Sequence, residues 1–182
     1  MHSLEVAQCF LDDCRDFLFR YDRTIDSFSA IKSRRLKCFN DLRAAYECAL
    51  KCAVAYHYPT DTDRRKLIDA VEKHRHNIES LESTVVQLAG INNYGIERKA
   101  EVLNGLPVSL RYTLDGLDFL AAHEERYYYT VGSDNWLTSF RTYIEHVFKA
   151  LDAQLSKHSA IISAADIPFE SLLEEEHNKY DK

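Results

Sequence analysis

Apolar residues recur every three or four positions along most of this chain, and only five glycines and three prolines interrupt them. This spacing places an apolar stripe along one side of an α-helix. Hydrophobic residues make up 46% of the 182 residues and charged residues 29%, which is the composition of a globular protein. The sequence therefore predicts an all-α fold of long amphipathic helices.

The periodic runs indicate an up-and-down bundle of about five helices. The first two are expected over about 3–28 and 30–57, where the YHYP segment ends the second. A short polar side chain within 61–63 can cap the next helix, which is predicted to continue to Gly90 without interruption.

A short helix is predicted after Gly90, and Pro107 suits the first turn of a fourth long helix. The tyrosine run 127–129 is predicted to lie in the loop that follows. Asp134 is the predicted cap of the last major helix. That helix is expected to bury one stripe: Trp136, Phe140, Tyr143, Ile144, Val147, Leu151 and Leu155.

Residues 1–165 are predicted to form a single bundle domain, and residues 166–182 an acidic tail with at most one short helix. No stretch approaches the roughly 20 apolar residues of a membrane helix, and the N-terminus carries acids where a signal peptide carries bases. We therefore expect a soluble, cytoplasmic protein that does not bind membranes. Because the net charge is −6, binding of nucleic acid would require a local basic patch.

Motifs of common nucleotide-binding and metal-binding sites are missing, among them the phosphate-binding loop, G-x-G-x-x-G and H-E-x-x-H. The five cysteines lack C-x-x-C spacing and lie in apolar helical runs, as is typical of reduced core residues. Metal binding by Cys48 and Cys52 is the weaker alternative, because no matching Cys or His pair is obvious. His74 and His76 point in different directions on a helix, so they cannot readily share one metal. We predict no metal and no cofactor.

Arg141 and His146 lie in the segment SFRTYIEHVF, with four residues between them. A guanidinium can hold a phosphate while an imidazole moves a proton, and these two tasks suffice to cleave RNA through its own 2′-hydroxyl without a metal. On a regular helix this step turns through about 140°, so the two side chains would flank the buried stripe. A cleft between two subunits could still use both. The alternative is structural: Arg141 pairs with Glu145, and His146 borders the core.

Four features between residues 35 and 157 together resemble the HEPN family of small helical bundles. They are AAYECALKCAVAYH with Glu47 and Lys51, KHRHNIESLE, EERYYY, and the terminal helix. The resemblance implies a homodimer through the last helix in which Arg141 and His146 are catalytic. The implied activity is that of an endoribonuclease of toxin or phage-defence type.

The resemblance also allows a second function, a non-catalytic interaction module or the accessory subunit of a nucleotidyltransferase. Thr142 favours this alternative, because active members of the family commonly have Asn, Asp or His directly after the arginine. The partners that the resemblance implies are a second copy of the chain, RNA, and an antitoxin or a nucleotidyltransferase.

Arg126 and Tyr127 are candidate RNA contacts, because tyrosine rings stack on bases and arginine binds phosphate. The alternative is that the tyrosine run closes the end of the bundle and docks a dimer mate. The basic residues between 32 and 37 could likewise contact phosphates, or could form a solvated helix face.

Overall fold

The computed structural model describes residues 2–27, 30–59, 63–90, 94–96, 99–106, 110 and 113–158. Within these ranges the chain is helical and contains no strand, which confirms the predicted all-α class. The helices are α1 (His2–Ile25), α2 (Ile31–His57), α3 (Arg64–Glu72), α4 (Ile78–Ala89), α5 (Ala100–Leu103), α6 (Thr113–Ala122), α7 (Glu124–Tyr129) and α8 (Asp134–Leu155). The predicted tail, 166–182, lies outside the described residues.

Helix α2 lies at the centre of the bundle, and more than half of its residues are buried. Helix α1 packs along it in the opposite direction: the Lys51 ammonium lies over the Phe10 ring near one end, and Arg20 pairs with Asp41 near the other. All eight helices contribute side chains to one connected hydrophobic core. The described helices therefore form a single packed unit.

Helix α8 runs parallel to α2 on another side. Its first turn contacts Arg35, and the end of α2 meets the residues that follow α8 through Tyr56 and His158. Between these points Tyr46 packs edge-on against Phe140, with ring centroids 5.8 Å apart, and its hydroxyl lies 3.3 Å from that of Tyr143. Aromatic contacts thus join the two helices along their length.

The predicted third helix is divided into two helices, so the prediction of one uninterrupted helix is wrong. Helix α3 begins after Asp63, whose carboxylate accepts from two backbone N–H groups, as the predicted cap within 61–63 requires. It ends at Glu72 because Arg75 adopts a positive φ of 47°, which a helix does not tolerate. Asn77 then caps α4 by accepting from the backbone N–H of Ser80.

The second half of the chain also contains more helices than expected. Helix α6 ends at Ala122, because His123 has an extended φ of −141°, and the tyrosine run predicted as a loop forms α7 instead. Ser133 rather than Asp134 caps α8, since its hydroxyl accepts from the N–H of Trp136. These divisions explain why the described residues form eight helices where about five were predicted.

The thiols of Cys14, Cys38 and Cys52 are buried, as expected for core residues, and Cys48 is partly buried, whereas Cys9 is exposed. Burial raises the pKa of the Cys38 and Cys48 thiols to about 12, which keeps both protonated. No helix in the described ranges is long and apolar enough to cross a membrane.

Candidate functional site

Helix α8 carries both predicted catalytic residues and buries one stripe, which Arg141 borders. The buried members are Leu137, Phe140, Ile144, Val147, Leu151 and Leu155. Trp136 and Tyr143 of the predicted stripe are only partly buried. Leu137, which was not part of the predicted stripe, is buried. The stripe faces α1 and α2, so that residues on its two sides meet different neighbours.

Arg141 lies on the side of the stripe that faces α1, and two carboxylates bind it. Its Nε donates to Asp22 Oδ1 at 3.0 Å and its Nη2 to Asp22 Oδ2 at 2.8 Å, which is a bidentate pair between α8 and α1. Its Nη1 donates to Glu145, one turn further along α8. The hydrogen bonds to Asp22 raise the pKa of Arg141 above its ordinary value.

The pair with Glu145 is the contact that the structural alternative predicts. Glu145 in turn accepts from Lys149 Nζ at 2.7 Å, and this hydrogen bond, with the charge of Arg141, lowers the pKa of Glu145. The cluster of Asp22, Arg141, Glu145 and Lys149 therefore contains two charges of each sign. It presents no excess positive charge to a phosphate.

His146 lies about 140° further round α8 and is exposed, so it does not border the core as the structural alternative predicts. Its ring lies over Gly95: a Cβ added to that glycine would stand 3.0 Å from Nε2. The imidazole makes no hydrogen bond to a residue that the structure describes. Within one chain the structure therefore directs Arg141 to α1 and His146 to the segment around Gly95, and it does not bring the two groups into one site.

The predicted RNA contacts of α7 also have structural neighbours. The Nη2 of Arg126 donates to the carbonyl of Val102 at 3.2 Å, and its guanidinium covers Gly105 so closely that a Cβ there would overlap it. Tyr127 is buried against Gly132, whereas Tyr128 and Tyr129 are exposed. The first tyrosine of the run thus belongs to the core, and the other two are accessible.

Two segments that carry the HEPN resemblance meet in space. The Glu47 carboxylate accepts from Lys51 Nζ at 2.7 Å and lies 3.0 Å from Nδ1 of His76, which follows the turn at Arg75. The other histidine of that segment, His74, is buried, and its Nδ1 lies 2.6 Å from the Ser80 hydroxyl. This arrangement joins α2 to the α3–α4 turn.

A groove that the sequence reasoning missed runs between α1 and α2 and has a volume of about 860 Å³. Phe10, Phe17, Ala44 and Cys48 are among its apolar lining residues, and we call it the α1–α2 groove. Its basic lining residues are Arg20, Arg23, Lys37, Arg43, Lys51 and His76, against three acids, Asp13, Asp41 and Glu47. The groove is thus locally basic in a chain of net charge −6.

Two of the basic residues between 32 and 37 that were predicted as possible phosphate contacts are already paired. Arg34 and Arg35 both reach Asp134 at the start of α8, Arg35 with two hydrogen bonds of 2.8 and 3.0 Å. These contacts lower the pKa of Asp134. Lys37 points into the groove instead, so the basic run between 32 and 37 is divided between two roles.

No group of three His, Cys, Asp or Glu side chains that could hold a metal ion occurs in the described part of the chain. No family model, no curated protein and no solved structure matches this chain.

Proposed function

We propose that this protein is a non-catalytic helical interaction module of HEPN-like type. The observation that carries this proposal is the state of Arg141, whose guanidinium is bound by Asp22 and Glu145. His146 is exposed and its ring lies over Gly95 instead. Within one chain, the two groups therefore lack the shared site that phosphate binding and proton transfer require.

The charges around Arg141 also oppose catalysis. A phosphate would have to displace Asp22 from Arg141. The two hydrogen bonds between them already have the bidentate geometry that arginine prefers for a carboxylate. It would then lie beside Asp22 and Glu145, and like charges at such distances repel each other. The site is therefore organised to hold α8 against α1.

An interaction module needs an accessible surface, and the exposed apolar side chains supply one. Leu114 and Leu117 of α6 and Tyr128 and Tyr129 of α7 are exposed large hydrophobic residues. Apolar and aromatic residues of this kind are typical of docking surfaces. The outward face of α8 is polar by comparison, so we place a partner, first of all a second copy of the chain, on α6 and α7.

A metal-independent endoribonuclease is the second candidate. One observation favours it: His146 is exposed and makes no hydrogen bond to a described residue, so its imidazole is accessible for proton transfer. In a dimer, His146 of one subunit could lie beside Arg141 of the other. Catalysis would also require Arg141 to leave Asp22 and Glu145.

Incubation with total RNA in the presence of a chelator separates the two candidates. We expect the wild-type protein and the His146→Ala, Arg141→Ala and His123→Ala variants to cleave no more RNA than buffer does. His123→Ala is the matched control, because His123 is also exposed but precedes α7 and is not part of α8. Cleavage by the wild type and by His123→Ala that is lost in His146→Ala would reject the proposal in favour of the nuclease.

A further inference from the structure

Cations without a carboxylate partner gather at one end of the α1–α2 groove. Arg23 of α1 and Lys37 of α2 are both exposed, and neither forms an ion pair with a described residue. Arg20 lies nearby and shares its charge with Asp41, at 2.9 Å. This end of the groove therefore carries uncompensated positive charge, in contrast to the cluster around Arg141.

An exposed aromatic ring stands beside these cations. Phe19 lines the groove and is 54% exposed, and the guanidinium of Arg23 lies 4.5 Å from its ring centroid. Burying an aromatic ring is favourable, so an exposed one at the rim of a groove has surface left to cover. A ring next to an arginine is the arrangement on which nucleobases stack.

The groove is long enough for several nucleotides. Its lining extends from Phe10 to Thr24 on α1 and from Lys37 to Lys51 on α2, about 21 Å of each helix at a rise of 1.5 Å per residue. At about 3.4 Å per stacked nucleotide, this length accommodates roughly six. The far end also has two basic side chains, Lys51 and His76, and both contact Glu47.

From these observations we propose that the α1–α2 groove binds single-stranded nucleic acid. Arg23 and Lys37 contact backbone phosphates, and Phe19 stacks on a base. The carboxylates of an acidic peptide would pair with the cations but would offer no planar ring to stack on Phe19. This inference goes beyond the proposed function, because it does not depend on whether Arg141 and His146 are catalytic.

Binding is measured with the full chain and a fluorescein-labelled oligonucleotide of twelve thymidines, by fluorescence anisotropy at several salt concentrations. This probe has no 2′-hydroxyl, so the cleavage chemistry of the nuclease candidate cannot act on it. A failure of the groove proposal is therefore distinct from a failure of the proposed function. Circular dichroism verifies that each variant is folded.

The double variant Arg23→Glu/Lys37→Glu should weaken binding at least tenfold. Because each lost phosphate contact reduces the salt slope of a single strand by about 0.7, the slope should fall by about 1.4. The matched control, Arg65→Glu/Lys66→Glu, changes the net charge equally on the exposed first turn of α3, outside the groove. We expect this control to stay within twofold of the wild type.

Phe19→Ala should weaken binding about fivefold at an unchanged salt slope, because it removes stacking and no charge. Three results would overturn the proposal. They are a wild-type protein that does not bind the probe, equal losses in the groove variant and its control, and displacement of the probe by poly-glutamate together with an unaffected Phe19→Ala.

Discussion

An arginine lies on each of two sides of helix α1, and the two arginines have different partners. On the side toward α8, its Asp22 binds Arg141 with two hydrogen bonds, and Glu145 completes the pairing. On the side that lines the groove, Arg23 has a phenyl ring beside it and no carboxylate partner among the described residues. The residue type is the same, but only the second arginine has charge available for a ligand. Availability, rather than the presence of arginine, distinguishes a binding surface from a structural contact.

Replacing each arginine by alanine tests this comparison most directly. Arg141→Ala should lower the free energy of unfolding by about 1.5 kcal/mol, since it removes charged hydrogen bonds that join α8 to α1. Arg23→Ala loses one exposed cation–π contact and should cost about 0.5 kcal/mol. Urea denaturation followed by circular dichroism measures both. Equal losses would show that the two arginines are held equally, and the comparison would not stand.

The second test removes the carboxylates that bind Arg141. In the Arg23→Glu/Lys37→Glu background, Asp22→Asn/Glu145→Gln removes the two carboxylates that occupy Arg141 and leaves side chains of similar shape. Affinity for the oligonucleotide should then rise about fivefold, the equivalent of about 1 kcal/mol, because Arg141 becomes available for phosphate. Adding Arg141→Ala should abolish the gain. A gain that survives Arg141→Ala would mean that the added net charge, and not this guanidinium, is responsible.

The two sides should also respond to pH with opposite signs, an effect smaller than the other two. The pKa of Glu145 is lowered in the folded protein, chiefly by the hydrogen bond from Lys149, so its ionisation stabilises the fold. The wild type should exceed Glu145→Gln in stability above pH 4.5, the ordinary value, and lose this advantage as the pH falls through the lowered pKa.

In the groove, burial raises the pKa of Asp41 above 3.8, and the charge of Arg20 offsets this only in part. Its ionisation therefore costs stability, so Asp41→Asn should be the more stable protein above the raised pKa, and the difference should vanish as the pH falls to 3.8 and below. Urea unfolding between pH 3 and pH 7 measures both series. If both variants were more stable than the wild type at neutral pH, or both less stable, the opposite electrostatic roles of Glu145 and Asp41 would be contradicted.

Local patterns predicted helix α8 well because its determinants lie within it. The spacing of Phe140, Ile144, Val147 and Leu151 indicates the buried side, and that side is buried in the structure. The Arg141–Glu145 contact is one turn long and follows from the same spacing. Asp22, the other partner of Arg141, lies 119 residues away in the sequence. No local pattern could select it, because the contact depends on how α1 packs against α8.

The division of the third helix could not be predicted for a similar reason. The residues around Arg75 are acceptable in a helix, and neither glycine nor proline marks the break. One contact within the segment and one outside it favour the turn: His74 reaches the Ser80 hydroxyl, and His76 reaches Glu47 on α2. Tertiary contacts of this kind override helix propensity.

The groove was missed because its cations come from two helices. Arg20 and Arg23 lie near the end of α1, and Lys37 lies near the start of α2. The antiparallel packing of these two helices brings them together, and each alone resembles a solvated charged face. Pairing the basic positions of neighbouring antiparallel helices is the signal that would have found them.

The chain contains one tryptophan, Trp136, at the start of α8. Its indole packs 5.3 Å from the Phe140 ring and 6.3 Å from the Phe39 ring of α2, so it sits at the junction of these two helices. Intrinsic fluorescence at 295 nm excitation is therefore a built-in optical reporter of whether α8 stays docked. A ligand seated between α1 and α2 should leave that emission unchanged, whereas undocking of the last helix should shift it toward longer wavelengths.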